Sequence, residues 1–400
     1  MDVIVTSEHR FLRTPDGSVW TPAMGDYSFW TRYLDVFDGV RIVARVRETP
    51  EVPERWIRAD GPGVTFRGVP YYVGPYQYLA RCLTVAGSLG RAIQAEDAVV
   101  LRVPSLLANQ LIGQLRRRAH PYAVEVVGDP WEVFAPGTVH HPLRSLLRLY
   151  FTRRLRAQCR YACVASYVTR RNLQRRYPIG CGRWTTYYSS IELDAEGFVP
   201  EVAEQKSTRR ATRIVFVGTL EQLYKGPDTL LAAVARCVQE GLALQVRLVG
   251  EGRYRGMLEE QAKRLGIREC ADFLGQVSPG SNVRDELDRA DLFVLPSRTE
   301  GLPRAMIEAM ARGLPCLGST AGGIPELLPA EDLVTPGDDR VLAMKMTEVL
   351  RNPAKRLRMA RRNLQRAHDY RRDILQLRRR EFYCRLRKQS EAWLRRSKAA

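Results

Sequence analysis

Two glutamates eight positions apart, Glu300 and Glu308, lie in FVLPSRTEGLPRAMIE (Phe293–Glu308). An apolar strand, Leu292–Leu295, runs into Pro-Ser-Arg-Thr, and Glu300-Gly301-Leu302-Pro303 then opens a helix. Glu300 stands at the mouth of a strand-to-helix turn, where open parallel sheets bind ligands. Gly301 permits close approach to the backbone, and Pro303 suits a first helical turn. Glu308, about a turn and a half further on, suits a vicinal diol, because a carboxylate accepts from two hydroxyls at once. Spacing alone reads more simply as a surface helix with two ordinary glutamates.

The elements around this stretch are what would position it. RIVFVGTLEQLYKGPDTLLAAVA (Arg213–Ala235) reads as a buried strand, a glycine loop with a lysine, and an amphipathic helix. QVRLVGEG, DFLGQVS and LPCLGSTAGGIPELL follow as further strand-to-turn units. Strands alternating with helices, with glycine at each strand's carboxyl end, predict a doubly wound parallel sheet. In their order and spacing these pieces, with LVTPGD, resemble the nucleotide-sugar-binding half of retaining GT-B glycosyltransferases of family 4, over residues about 210–340.

The resemblance implies an α/β fold of two doubly wound, Rossmann-like domains facing a central cleft, with a last helix crossing back to the first domain. It makes Lys225, in the loop after Gly218, the lysine that places a point charge on a diphosphate. The family's usual arginine after that glycine is replaced by Thr219, and Arg298 is a candidate to compensate. Glu308 would accept the ribose hydroxyls and Glu300 would touch the sugar ring. Backbone amides of Gly301, Leu302, Pro303 and Arg304 would hold sugar or phosphate oxygens. Leu274–Val277 would rim the base. Gly250 and Gly252 would admit the ligand to the backbone, with a plain turn role left open. Asp129, in VEVVGDPW, reads either as a contact to substrate or as a helix-capping aspartate before Pro130. The implied chemistry is transfer from a UDP- or GDP-type donor sugar without a separate cofactor or metal, since no D-x-D gathers a cation. The departing phosphate would take the acceptor's proton on the same face, in an oxocarbenium-like transition state.

At 400 residues the chain suits two domains. The reading places an acceptor-binding domain at 1–200, a nucleotide-sugar domain at 212–368 and a crossing helix with basic tail at 369–400. Residues Ala195–Thr212 serve as linker. In the first half, strands are predicted at Val3–Thr6, Val40–Val46, Ala98–Val103 and Ala123–Val127. Helices are predicted near Tyr27–Phe37, Tyr76–Ile93, Leu106–Arg118 and Leu143–Arg160. TPAMGD (Thr21–Asp26) sits where the family places a glycine loop, with only Gly25 of the usual pair. His9 is the histidine nearest a strand end there.

Eight cysteines and five histidines show no metal-ligand spacing. No stretch reaches the roughly 18 apolar residues of a membrane span, and the first residues lack a secretory pattern, which predicts a cytoplasmic protein. The formal net charge of +19 is concentrated in the last fifty residues, with further runs at Arg116–Arg118 and Arg153–Arg156. Such a surplus implies an anionic partner: nucleotide phosphates, anionic lipid at the inner face of the membrane, or nucleic acid. The basic and apolar 143–160 segment fits an interfacial helix as well as a core-packed one. The partners expected are a nucleotide sugar and a glycan, lipid-linked or small-molecule acceptor. A sugar-nucleotide epimerase on the same fold is the alternative enzyme. A nucleic-acid-binding protein is the alternative of another class, and it lacks a standalone basic domain or helix-turn-helix.

Overall fold

Short aliphatic and β-branched runs, each closed by glycine, proline or a polar turn, build two sheets in the computed structural model. It describes residues 1–400 except Ala23, Arg55, Arg91, 136–140, 203–211, Pro279 and Ala400. Half of the expected linker, 203–211, therefore lies outside the described residues.

The first sheet comprises β1 (Val3–Arg13), β2 (Val19–Thr21), β3 (Val40–Glu48), β4 (Ile57–Arg58), β5 (Val64–Val69), β6 (Ala98–Val103), β7 (Ala123–Val126), β8 (Val164–Tyr167) and β9 (Trp184–Tyr187). Its parallel part runs β5-β3-β1-β6-β7-β8-β9. β2 and β4 add an antiparallel edge on the far end of β1. The winding reverses between β1 and β6. β1 is longer than Val3–Thr6 because, past an irregularity after Thr6, Arg10–Arg13 re-register on Arg45–Glu48 of β3. The predicted helix at Tyr27–Phe37 stops at Thr31. Its aromatic residues continue instead in tight turns, Tyr33 N bonding Trp30 O and Val36 N bonding Tyr33 O.

The second sheet is wholly parallel: β10 (Thr212–Val217), β11 (Leu244–Val249), β12 (Ala271–Gly275), β13 (Leu292–Leu295), β14 (Cys316–Ser319) and β15 (Leu333–Val334). Its order is β12-β11-β10-β13-β14-β15, so the winding reverses between β10 and β13. Such near-continuous apolar strands need helices on both faces. One is Pro227–Gln239, which buries Leu230, Leu231 and Val234. The doubly wound α/β expectation holds for both sheets.

By contacts, Met1–Gly128, Tyr150–Tyr188 and Gln376–Ala400 make one unit, and Asp129–Leu149 with Ser189–Leu375 the other. The C-terminal helix, Arg372–Ala399, buries Phe382, Tyr383 and Leu386 in the first unit. There the buried Glu125 accepts from Tyr188 at 2.8 Å, Tyr33 at 3.0 Å and Tyr383 at 3.2 Å, and pairs with Arg102. Burial works to raise the Glu125 carboxyl, but Arg102 and the tyrosine hydroxyls outweigh it and hold it below its usual value.

Candidate functional site

In an open α/β sheet the crevice at the carboxyl ends, where the winding reverses, is the natural ligand site. In the second unit that crevice lies between β10 and β13. The loop after β10 carries Lys225 and the loop after β13 carries Glu300. Lys225 Nζ lies 2.6 Å from Glu300 Oε1, with both side chains largely buried. Ser297 Oγ donates to the same Glu300 oxygen at 2.9 Å. Lys225 ends a short turn, Leu223–Lys225, closed by Gly226 at φ +74°. A Cβ at Gly226 would overlap Pro296 O, so only glycine lets the two loops meet. Gly218 clears the path of the lysine stem, since a Cβ there would stand 3.1 Å from Lys225 Cδ.

Arg298 does not compensate for Thr219. Its guanidinium takes both oxygens of Asp228, at 2.8 and 2.7 Å, and also donates to Leu223 O at 2.7 Å. Its fork locks the lysine loop to the glutamate loop, leaving Lys225 as the cation facing Glu300. Thr219 Oγ accepts from Glu221 N at 3.1 Å, a turn-forming role. Gly250 and Gly252 meet a demand of the chain itself. The Cβ each lacks would overlap Gly218 O and Glu221 N respectively, so their space is filled by the chain itself. A turn role is visible as well, with Leu220 N bonding Glu251 O at 2.9 Å.

The helix begins at Arg304, with Pro303 as its N-cap residue. Proline has no N–H, so Pro303 supplies no amide at this end. Leu302 and Pro303 are buried. Gly323 N bonds Gly301 O at 2.8 Å, and Gly322 at φ +53° lies so close to Glu300 O that a side chain there would collide. The double glycine of GGIPE thus presses the Glu300 loop into place. Glu308, half-buried one turn inside the helix, has its carboxyl raised by burial, against a lowering pull from Arg304. Leu274 and Val277 are half-buried around the end of the edge strand β12. Asp129 accepts from Trp131 N at 2.9 Å and caps the helix Pro130–Val133, the second of its two readings.

Ser297, Asp228, Gly226 and Gly322 were not singled out from the sequence. The only local signal was Asp228 in the first turn after Gly-Pro, which reads as a helix-dipole residue. Among the described residues no group of three or more His, Cys, Asp or Glu is placed to hold a metal ion.

Residues 201–366 match the family model described as glycosyl transferases group 1. The chain is 26% identical over 325 residues to Protein CapJ of Staphylococcus aureus, covering 81% of this chain and 79% of that protein. It is 30% identical over 213 residues to the GDP-mannose-dependent monoacylated alpha-(1-6)-phosphatidylinositol monomannoside mannosyltransferase of Corynebacterium glutamicum, covering 49% of this chain and 55% of that relative. In structure it is similar to sucrose-phosphate synthase from Thermosynechococcus elongatus, with TM-score 0.73, 17% identity, and 98% and 99% of the two chains covered.

Proposed function

We propose that this chain, a GT-B glycosyltransferase whose residues 201–366 belong to glycosyl transferases group 1, moves a sugar from a nucleoside-diphosphate donor to a glycan or lipid-linked acceptor with retention of anomeric configuration. The observation that carries the reading is the Lys225–Glu300 pair at the β10/β13 reversal, with Glu308 inside the adjoining helix. In this reading Lys225 gives its charge to the diphosphate as the bond from the anomeric carbon to phosphate oxygen breaks. Glu300, released from the lysine, accepts from sugar hydroxyls. The amides of Gly301 and Leu302 add fixed dipoles, which act without reorganisation. Glu308 takes the ribose diol. The acceptor oxygen forms the new bond on the face the phosphate leaves, and its proton goes to that phosphate oxygen. Asp129, committed to its cap, has no part in the reading.

The relative named for a phosphatidylinositol mannoside supports a lipid-linked acceptor. So do apolar side chains exposed on two helices. Tyr76 and Leu83 stand out at 83% and 84% on Gly74–Gly90, and Leu146, Leu149 and Tyr150 are exposed on Arg144–Tyr161. The latter helix faces the core with Leu155 and Cys159 and carries Arg148, Arg153 and Arg154 as well. A peripheral contact with an anionic membrane follows, and among the described residues no helix is long and apolar enough to cross one.

The deciding experiment incubates the protein with UDP- and GDP-sugars in EDTA and follows nucleotide release and product anomer by NMR. Release with a product of the donor's own anomeric configuration is expected. An inverted product, a metal requirement, or no stabilisation by UDP or GDP in thermal melts would sink the corresponding part of the reading.

A further inference from the structure

At the first unit's own reversal, between β1 and β6, the crevice is occupied by a carboxylate of the chain. Glu8 Oε1 accepts from Ser105 Oγ at 2.7 Å, Leu106 N at 2.7 Å and Leu107 N at 3.1 Å. The helix Leu106–Arg117 therefore starts on an internal anion, which its N-terminal dipole favours. The carboxyl ends of β1 and β3, paired through Arg10–Arg13 and Arg45–Glu48, lie beside this point. A cavity of about 770 Å³ opens there, lined by His9, Arg10, Arg45, Arg47, Trp56 and Tyr71 among others.

The charge in that cavity is unbalanced. Its carboxylate is Glu8, already spent on the helix and on Arg45, 3.3 Å away. Arg45 is held rigid by Tyr72 O at 3.2 Å, by Glu8 O, and by packing over the Tyr72 ring, while its buried Nε has no hydrogen-bond partner. Arg10 and Arg47 are exposed, and the Arg47 guanidinium lies 5.4 Å over the Tyr71 ring. His9 registers the surplus. Burial first, then Arg102 and Arg45, push it down to about 4 against an opposing pull from Glu8. Positive groups in a partly desolvated recess beside aromatic faces suit a ring that carries a compact oxyanion.

We propose that this cavity binds the acceptor through an anionic group, a carboxylate or phosphate on a sugar, with Arg10 and Arg47 gripping the charge and Tyr71 and Trp56 packing on the ring. The assignment rests on the glycosyl-transfer reading and adds the acceptor's chemical class to it. Calorimetry on the full chain compares glucuronate, glucose 6-phosphate, inorganic phosphate and glucose, with UDP melts on the same protein as a separate arm. At least one charged sugar should bind roughly tenfold more tightly than glucose and than inorganic phosphate. The Arg10→Gln/Arg47→Gln variant, changed only at exposed side chains, should lose that advantage. Preference for glucuronate assigns the carboxylate, and preference for glucose 6-phosphate assigns the phosphate. The proposal is overturned if glucose or inorganic phosphate binds as well as the charged sugars, if no charged sugar binds, or if the variant binds like the wild type. Charged-sugar binding without any UDP shift would sink the donor reading and leave the cavity's ligand class standing.

Discussion

Arg298 and Asp228, seventy residues apart in sequence, form a two-point ion pair that joins the loop after β13 to the helix after β10. Two side chains that touch no donor in our reading thus fix the distance between Lys225, on the diphosphate, and Glu300, on the sugar.

Removing either partner leaves the other half-buried and uncompensated. Asp228→Ala and Arg298→Ala should each lower stability by about 1–3 kcal/mol. The double variant should cost less than the sum, because no orphaned charge remains. Denaturant melts of the four proteins test this, and strict additivity would show that the pair is not coupled.

Lys225→Met keeps the stem that crosses Gly218 and removes the charge. Turnover should drop by roughly a hundredfold, the scale of losing one preorganised donor in a water-poor site. Stability should fall less, since Glu300 keeps its bond from Ser297. Steady-state kinetics with the best donor decides, and wild-type rate constants in a folded variant would move the phosphate charge elsewhere.

Glu308→Gln should weaken UDP or GDP binding by about 1.5–3 kcal/mol, the worth of a hydrogen bond to a charged group. The pH dependence has a definite sign. Burial raises the Glu308 carboxyl, so on acidification it protonates earlier than an ordinary glutamate and loses acceptor capacity. Nucleotide affinity should therefore decline as pH falls through that raised value, while the Gln variant should lack this acid limb. The same shift acts oppositely on folding: its stabilising share is full below the ordinary glutamate value and is lost as pH rises through the folded one. Calorimetric titration across pH measures the affinity, and identical profiles for the two proteins would rule out the ribose role.

Anionic vesicles should sediment the protein at low salt and release it at high salt, at about 1 kcal/mol per basic residue near the surface. Neutral vesicles should not retain it. Leu79→Ser/Leu83→Ser should reduce retention without a loss of fold, because both side chains are exposed. Equal recovery in the supernatant with and without anionic lipid would favour an acceptor free in solution.

The second sheet was legible because its signals are local. Each strand ends in its own glycine or proline turn, and Lys225 and Glu300 each follow one. What the local pattern could not carry was the use of side chains by distant partners. Arg298 reads as a phosphate ligand until Asp228 takes its fork. Gly250 and Gly252 read as room for a ligand, and nothing local shows that the 218–221 loop packs against them. β1 seems to stop at Thr6 because Glu8, His9 and Arg10 break the apolar run. Those polar residues belong to the strand's carboxyl half, where one caps a helix about a hundred positions away and the others line a cavity.

Tyr383 on Glu125 also orders events in folding, because the contact spans 258 residues of chain. The first unit's buried polar cluster is completed by a residue that lies beyond the whole second unit in sequence, and Phe382 and Leu386 beside it are equally buried. Ser189–Leu375, by contrast, emerges as one stretch and holds every strand of its own sheet. The amino-terminal unit, though made first, must wait with Glu125 and its tyrosines incompletely covered until the segment 376–400 returns to it. The half of the protein translated later can close before it.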